Sequence, residues 1–510
     1  VRLAGVALVA LAGCAIGATL RSYDVAPNGL ERREERLRLG LVRAHGDTAV
    51  LPRKDDLDDD ALLRTLYAGT YAYYNGRFRD AGRAFDEADA LTEARITKSV
   101  SQNVLAMLAN DRELDYEPGI NERLLMHYYG ALAFWRADDP EGAAVEARKL
   151  AYLLQKHAAD SNAHDRSLRI ALRTFAGAVF EATGERNDAL VSYRNAAALA
   201  GQRVNADSSE ALPGDDLAAD SGDVVLAIEQ GFVAFPVPWD LTVPIYQHEW
   251  NYVSGDDRGR GAWMAARLGT RLGAQLGGDG LWYAGPGMRL PPGDQWAGLT
   301  AGQAGDVTLG MRAGYSYGYR YDPRWGWRPV RVISTPERIL KLSVPAFKRP
   351  RALPAPALVG APGRATVLAA ADLSEGEVAD FDRERVSTYA RAVLRVAVKA
   401  AAAEVAEKAA EKAAKDKDKK EDKRAERLGW LAGFLTSAAG AVLERADTRG
   451  WNLLPQAVTL VRVRLPAGTH DLSVSAPQLP GGVLVVPRVV VKPRRVTLAA
   501  ARAWTGPADW

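Results

Sequence analysis

Between residues 29 and 200 the chain is nearly free of proline, and its apolar residues recur at intervals of three and four. That period predicts amphipathic helices. From Asp223 the period changes to two. Val224–Ile228, Gly231–Phe235 and Leu241–Ile245 read as strands, and more follow at 339–345 and 364–371. These strands flank one long insertion, 254–336. Near residue 375 the helical period returns, with Ser374 and Glu377 at capping-box spacing. It runs past Arg385, Arg391 and Lys399 into an Ala/Glu/Lys tract and a solvated charge cluster from Lys415 to Arg427. The uncharged stretch Leu428–Leu443 is shorter than the roughly 20 residues that span a bilayer and reads as a buried amphipathic helix. Residues 456–503 return to strands. Val461, Val463 and Leu465 alternate with Arg462 and Arg464, which predicts one apolar and one charged face. Pro466-Ala467-Gly468 before Asp471–Ser475 carries the mark of a hairpin.

These shifts divide the chain into a leader (1–13), a tether (14–28), a helical domain (29–200), an acidic linker (201–222), a β-rich region (223–371) with a Gly- and aromatic-rich insertion, a long helical segment (372–447) and a C-terminal β module (448–510). The predicted fold class is α+β and multidomain. An N-terminal α-helical array precedes a central and C-terminal β-rich region that a long helix interrupts.

The helical domain is self-similar. Gly69, Gly76, Phe78, Ala81, Phe85 and Ala88 share a spacing with Gly177, Phe180, Gly184, Ala189, Tyr193 and Ala196. A weaker copy has Ala131, Phe134, Ala143 and Ala147, with Pro140 in the turn. The spacing is that of the tetratricopeptide repeat (TPR). Small residues let the two helices of each repeat approach closely, and an aromatic fills the space beside them. Extra helical sequence at about 90–122 separates the first two copies, so a TPR-like array with an insertion is expected. Leu66, Tyr73, Tyr74, Tyr128, Trp135 and Arg136 then stand where such an array forms a groove for a partner protein. Aromatics and arginine are common binding anchors. The same residues suit a core between repeats equally well.

Cys14 is the only cysteine in 510 residues. It follows Leu11-Ala12-Gly13 at the end of an apolar run that begins after Arg2, a secretory layout. Val1 reads as an alternative start codon. A cysteine in this place fits a bacterial lipobox, in which the thiol is acylated and the chain is cut before it. Cys14 is therefore the expected lipidation site, and residues 14–28 the lipidated tether. Several acyl chains hold a protein stably where one does not. Ala15, rather than Asp, after the cysteine favours the outer membrane. With Cys14 modified, no thiol remains for a disulfide, thiolate catalysis or a cysteine metal site.

The net charge of +3 gives no argument for nucleic acid. His45, His127, His157, His164, His248 and His470 make no metal-binding pair and read as surface histidines. No phosphate-cradling loop or dinucleotide fingerprint is present, so neither a cofactor nor a metal is expected. Gly314-Tyr315-Ser316-Tyr317-Gly318 matches the nucleophile-elbow pattern, but the residues after it cannot form the required helix. The same stretch places Tyr315, Tyr317, Tyr319 and Tyr321 on one side of a strand, followed by Trp325 and Trp327, with Arg320, Arg324, Arg328 and Arg331 nearby. Such a surface suits glycan or lipid headgroups. An aromatic face packed within its own domain is the alternative. Upstream, Gly261, Ala265, Gly269, Gly273 and Gly277 recur every fourth residue and read as a helix packing closely on a neighbour.

Near the end of the helical segment lies Asp447-Thr448-Arg449-Gly450-Trp451. It reads as a structural corner in which Asp447 and Arg449 pair over a packed Trp451, with Asp380, Arg385 and Arg391 as prospective partners. This motif, together with Tyr116-Glu117-Pro118-Gly119, Glu122–Tyr129 and Ala379-Asp380-Phe381, resembles a functionally uncharacterised family of bacterial TPR-bearing envelope lipoproteins. Where this chain has Gly450 the family usually carries Ser. The resemblance implies a lipoprotein facing the periplasm and brings no established enzymatic activity. The expected function is a non-enzymatic, lipid-anchored adaptor whose partners are envelope proteins and, through its acyl anchor, the membrane. A glycan- or lipid-binding lipoprotein is the second expectation.

Overall fold

The computed structural model describes residues 29–44, 57, 59–99, 115–158, 165–202, 211–246, 314–322, 326–334, 336–360, 365–381, 388, 391–392, 446–479 and 481–505. The helical period becomes α1 (Gly29–Ala44), α2 (Ala61–Tyr74), α3 (Phe78–Ser99), α4 (Ile120–Arg136), α5 (Pro140–Lys156), α6 (Asp165–Thr183) and α7 (Arg186–Leu199). The starts of α2 and α5 are set by Asp60 and Asp139, whose carboxylates accept from the Leu63 and Gly142 N–H groups.

Three hairpins, α2–α3, α4–α5 and α6–α7, share one turn. Arg77 N–H donates to Ala72 O, Asp139 N–H to Phe134 O and Glu185 N–H to Phe180 O, a bond that ties up a helix-end carbonyl. The first and third also share one crossing. A Cβ at Gly69 would lie 2.9 Å from the Phe85 ring, and one at Gly177 would lie 2.9 Å from Tyr193. No bulkier residue allows these helices so close. Among the described residues, no helix is long and apolar enough to cross a membrane.

The strands are β1 (Ser221–Gln230), β2 (Phe235–Tyr246), β3 (Gly314–Asp322), β4 (Gly326–Ser334), β5 (Pro336–Lys348), β6 (Ala357–Val359), β7 (Ala365–Asp372), β8 (Ala457–Pro466), β9 (Gly468–Ser475), β10 (Val483–Val491) and β11 (Val496–Ala503). Strands from the central and C-terminal regions share one sheet of order β11-β1-β8-β7, and β10-β9-β6 form a second. Together they make a three-layer α+β body. Val225, Ala227, Leu460 and Leu498 join the core beneath the helices. Their neighbours Val224, Leu226, Val461 and Val463 pack on Leu472, Val474 and Val491 of the second sheet. Burial on both faces explains the unbroken apolar run of β1.

Four local expectations change. Gly231–Ala234 is not strand; pairing resumes at Phe235. The hairpin expected at Pro466–Gly468 is instead a passage between layers, because β8 pairs with β1 and β7 while β9 pairs with β10 and β6. The helix over residues 373–381 is capped by Asp372, which accepts from Glu375 N–H. Ser374 is not its cap, since its hydroxyl accepts from Ala234 N–H. Part of the acidic linker is pinned rather than loose, with Asp215 held by Arg186 and Asp216 by Arg464.

Candidate functional site in the filled groove

The first helices of the hairpins meet the sheet through an apolar band, and charged groups stand at both ends of that band. At one end Glu229 of β1 is paired in register with Arg502 of β11. Both are 1 % exposed. Glu229 accepts from Tyr74 Oη of α2 at 2.5 Å and from Tyr128 Oη of α4 at 3.0 Å. Burial pushes the Glu229 carboxyl above its ordinary range, although Arg502 and the tyrosine hydroxyls pull it back. Arg502 donates to the carbonyls of Gly231, Leu453 and Leu454 and to Tyr74 Oη. Its guanidinium also lies over the rings of Tyr74, Phe232 and Trp504. Arg38 of α1 reaches the same loop, donating to Val233 O and Asn452 O. Burial lowers its pKa to about 10.

At the other end Arg462 of β8 donates to both oxygens of Glu181 on α6, at 2.8 and 2.9 Å, and to Asp223 of β1 at 2.6 Å. Arg464 completes the group by donating to Asp223 and Asp216. The charged face predicted for β8 is thus not a solvent face. Arg462 is buried against the helices, because α6 supplies the matching carboxylate.

A third cluster gathers the motifs noted in the sequence. Arg449 forks onto Asp447 through Nε and Nη2, at 2.9 and 2.7 Å, as expected of the corner. Trp451 is 1 % exposed and packs against Phe85 and Tyr129. Its ring N–H donates to Thr70 Oγ1 at 2.8 Å, and its backbone N–H donates to Glu122 at 2.6 Å. Glu122 also accepts from Tyr116 Oη and from Gly119 N–H. Burial raises the Glu122 carboxyl despite these donors. Asp60 goes the other way. Burial pushes it up, but hydrogen bonds from Arg95, Tyr116 N–H and Leu63 N–H outweigh that and hold it below the usual range. Of the partners expected for the corner, Asp380 accepts from Asn121 and Arg391 donates to Thr388, while Arg385 lies outside the described residues.

The second hairpin replaces the aromatic at its crossing with a carboxylate. A Cβ at Gly130 would lie 2.9 Å from Glu146 Oε2. Glu146 is hydrogen-bonded to His127 Nδ1 at 2.7 Å and paired with Lys149 at 2.8 Å. Those contacts outweigh burial and hold Glu146 below its usual range. His127 is therefore not a surface histidine; it is 2 % exposed, because a carboxylate behind Gly130 satisfies it. Among the described residues, no group of three His, Cys, Asp or Glu side chains is placed to hold a metal ion.

The groove expected for a partner is occupied by the chain itself. Leu66, Tyr73 and Tyr128 are buried. Tyr74 is held by Glu229, and the Trp135 ring N–H donates to Leu498 O of β11. Arg136 is exposed and lies over Phe78. An aromatic helix face docks on any apolar sheet with the right donors and acceptors, and here the sheet belongs to the same chain. Glu229 and Arg502 were not singled out from sequence, yet a charge inside an otherwise apolar strand was the available signal. Tyr315, Tyr317, Tyr319 and Tyr321 occupy alternate positions of β3, opposite Ile333, Arg331, Pro329 and Trp327 of β4. Cys14, Trp325, His45, His164, His248 and the small-residue run 261–277 lie outside the described residues. No protein-family model, curated protein or solved structure matches the chain.

Proposed function

We propose that this protein is a lipid-anchored scaffold of the bacterial cell envelope, tethered through Cys14 and presenting a TPR-like helical array to an envelope protein. The observation that carries the reading is the recurrence of one hairpin geometry, with Gly69 against Phe85 and Gly177 against Tyr193 at the same separation and with the same turn bond. That recurrence is what the repeat spacing demands. Because Glu229 and Arg502 fill the inner face, the partner meets the second helices of the hairpins. Val145 and Tyr152 lie two turns apart on α5 and are 43 % and 64 % exposed, and Val191 on α7 is also exposed.

Photo-crosslinking in intact cells tests this. A probe at Tyr152 is expected to trap a partner and a probe at Tyr128 to trap none, with palmitate incorporation lost in Cys14→Ser. Adducts at neither position, with no palmitate in the wild type, would end the proposal. A second reading, an envelope glycan or lipid binder, rests on the alternating tyrosines of β3. Undiminished binding to isolated sacculi after Tyr317→Ala and Trp325→Ala would remove its glycan arm.

A further inference from the structure

The second sheet has two unlike faces. Along β10, Leu484, Val486, Val489 and Val491 pack on the first sheet, whereas Val483, Val485 and Val490 point outward. β9 stands between β10 and β6. Val485 and Val359 lie opposite Ser473 on either side, and Val483 and Ala357 lie opposite Ser475. Paired residues share a face. The outward face is therefore two level rows, Ala357–Ser475–Val483 and Val359–Ser473–Val485. Val359, Val483, Val485 and Val490 are between 43 % and 54 % exposed. Contiguous exposed apolar side chains mark contact surfaces where single ones do not.

Beside these rows the charge is one-sided. Residues 468–495 hold Arg488, Lys492, Arg494 and Arg495 against Asp471 alone. All four basic residues are exposed, and among the described residues none of their side chains is paired with a carboxylate. The turn that carries three of them is fixed by its backbone. Arg494 N–H donates to Ser221 O at 2.7 Å, and Gly222 leaves room for Lys492 O.

The edges direct a partner to the face. β10 is bulged between Val486 and Val489, Arg488 holds φ 52°, and Thr497 Oγ1 donates to Val490 O at 3.2 Å. On the other edge β6 is only three residues long. Broken or short edges resist the addition of a further strand. The two rows also carry no aromatic side chain, whereas protein interfaces are enriched in aromatic anchors. Small apolar tips beside a group of cations complement an anionic lipid surface better than a protein groove.

We infer that the outward face of β10-β9-β6 rests on a bilayer containing anionic lipid, with the valine rows entering the headgroup region and the four basic side chains meeting phosphates. Apolar burial and the attraction of Lys and Arg to anionic headgroups act together in such a contact. The face lies on the far side of the first sheet from the helices, so the helical layer stays turned away from the lipid. The contact does not need acylation at Cys14, and either reading can fail alone.

The test uses the full chain with Cys14→Ser, which leaves no acyl anchor and no other thiol. A fluorophore is attached at Val485→Cys or, in the helical layer, at the exposed Ala90→Cys of α3. Vesicles of phosphatidylethanolamine and phosphatidylglycerol, or of phosphatidylcholine alone, carry nitroxide-labelled acyl chains. In the anionic vesicles the probe at 485 is expected to be quenched at least threefold more than the probe at 90, with quenching weakened by salt and small in phosphatidylcholine. Lys492→Gln, Arg494→Gln and Arg495→Gln combined are expected to weaken vesicle binding at least tenfold with an unchanged circular dichroism spectrum. Equal quenching at both positions, which is also the result of binding through the apolar run of residues 3–13 alone, overturns the inference. So does full binding by the folded triple variant, or no association with the anionic vesicles. A 485 probe already shielded in buffer overturns it too, with sedimentation separating a second copy from cover by the chain itself.

Discussion

Glu229 and Arg502 are register partners on adjacent parallel strands, and both lie on the face of the sheet that meets the helices. Between them they bring together α2, α4, the 231–235 loop and the Leu453–Leu454 turn. Arg502→Leu removes the donor to these carbonyls and leaves Glu229 buried without its cation. A loss of about 1–3 kcal/mol for each buried carbonyl left without a donor is expected. Urea denaturation of the full chain measures it.

Trp451→Phe keeps most of the packed surface but removes the ring N–H that Thr70 accepts. About 1 kcal/mol should be lost for that hydrogen bond, and about 3–5 kcal/mol in Trp451→Ala, where a cavity opens between Phe85 and Tyr129. Comparing the two variants by thermal or urea unfolding separates the hydrogen bond from the packing.

Gly177→Ala tests the close crossing of α6 and α7. Its Cβ meets the Tyr193 ring at 2.9 Å, and that ring cannot swing freely because its hydroxyl is held by Glu181 at 2.8 Å. Overpacking should cost about 1–3 kcal/mol. Adding Tyr193→Leu to Gly177→Ala should recover part of it if the crossing is the cause, a comparison that a double-mutant cycle reads directly.

Stability against pH follows from two opposite carboxyl groups. Asp60 is held below its ordinary 3.8, so its contribution is complete above that value and is lost as pH falls through the lower folded pKa. Glu229 is raised above its ordinary 4.5, so its contribution is complete below that value and is lost as pH rises through the higher folded pKa. Acid unfolding should therefore begin below pH 3.8 at Asp60. Glu229→Gln should weaken the change in stability seen on raising pH from 4.5 toward neutrality. Denaturant midpoints across a pH series check both signs.

Local spacing made the hairpins legible. Gly69 with Phe85 and Gly177 with Tyr193 lie within one helical pair, so the contact that positions them is written into a single stretch of chain. The Asp447–Arg449 fork is legible for the same reason, since two residues of one short motif satisfy each other. Short apolar runs announced β1 and β7, and alternation announced β8.

What only the tertiary structure decided is which surface meets which. An aromatic stripe such as Tyr73, Tyr74 and Tyr128 has the same period whether it greets another protein or its own sheet. The choice here falls to Glu229 and Arg502, far away in sequence, whose burial is tolerable only beside those hydroxyls. Arg462 obeys the same rule. Period two put it on a polar face, but Glu181 from a distant helix turned that face inward. The periodicity of a segment records its own geometry, whereas the burial of a charge depends on a partner that can come from anywhere in the chain.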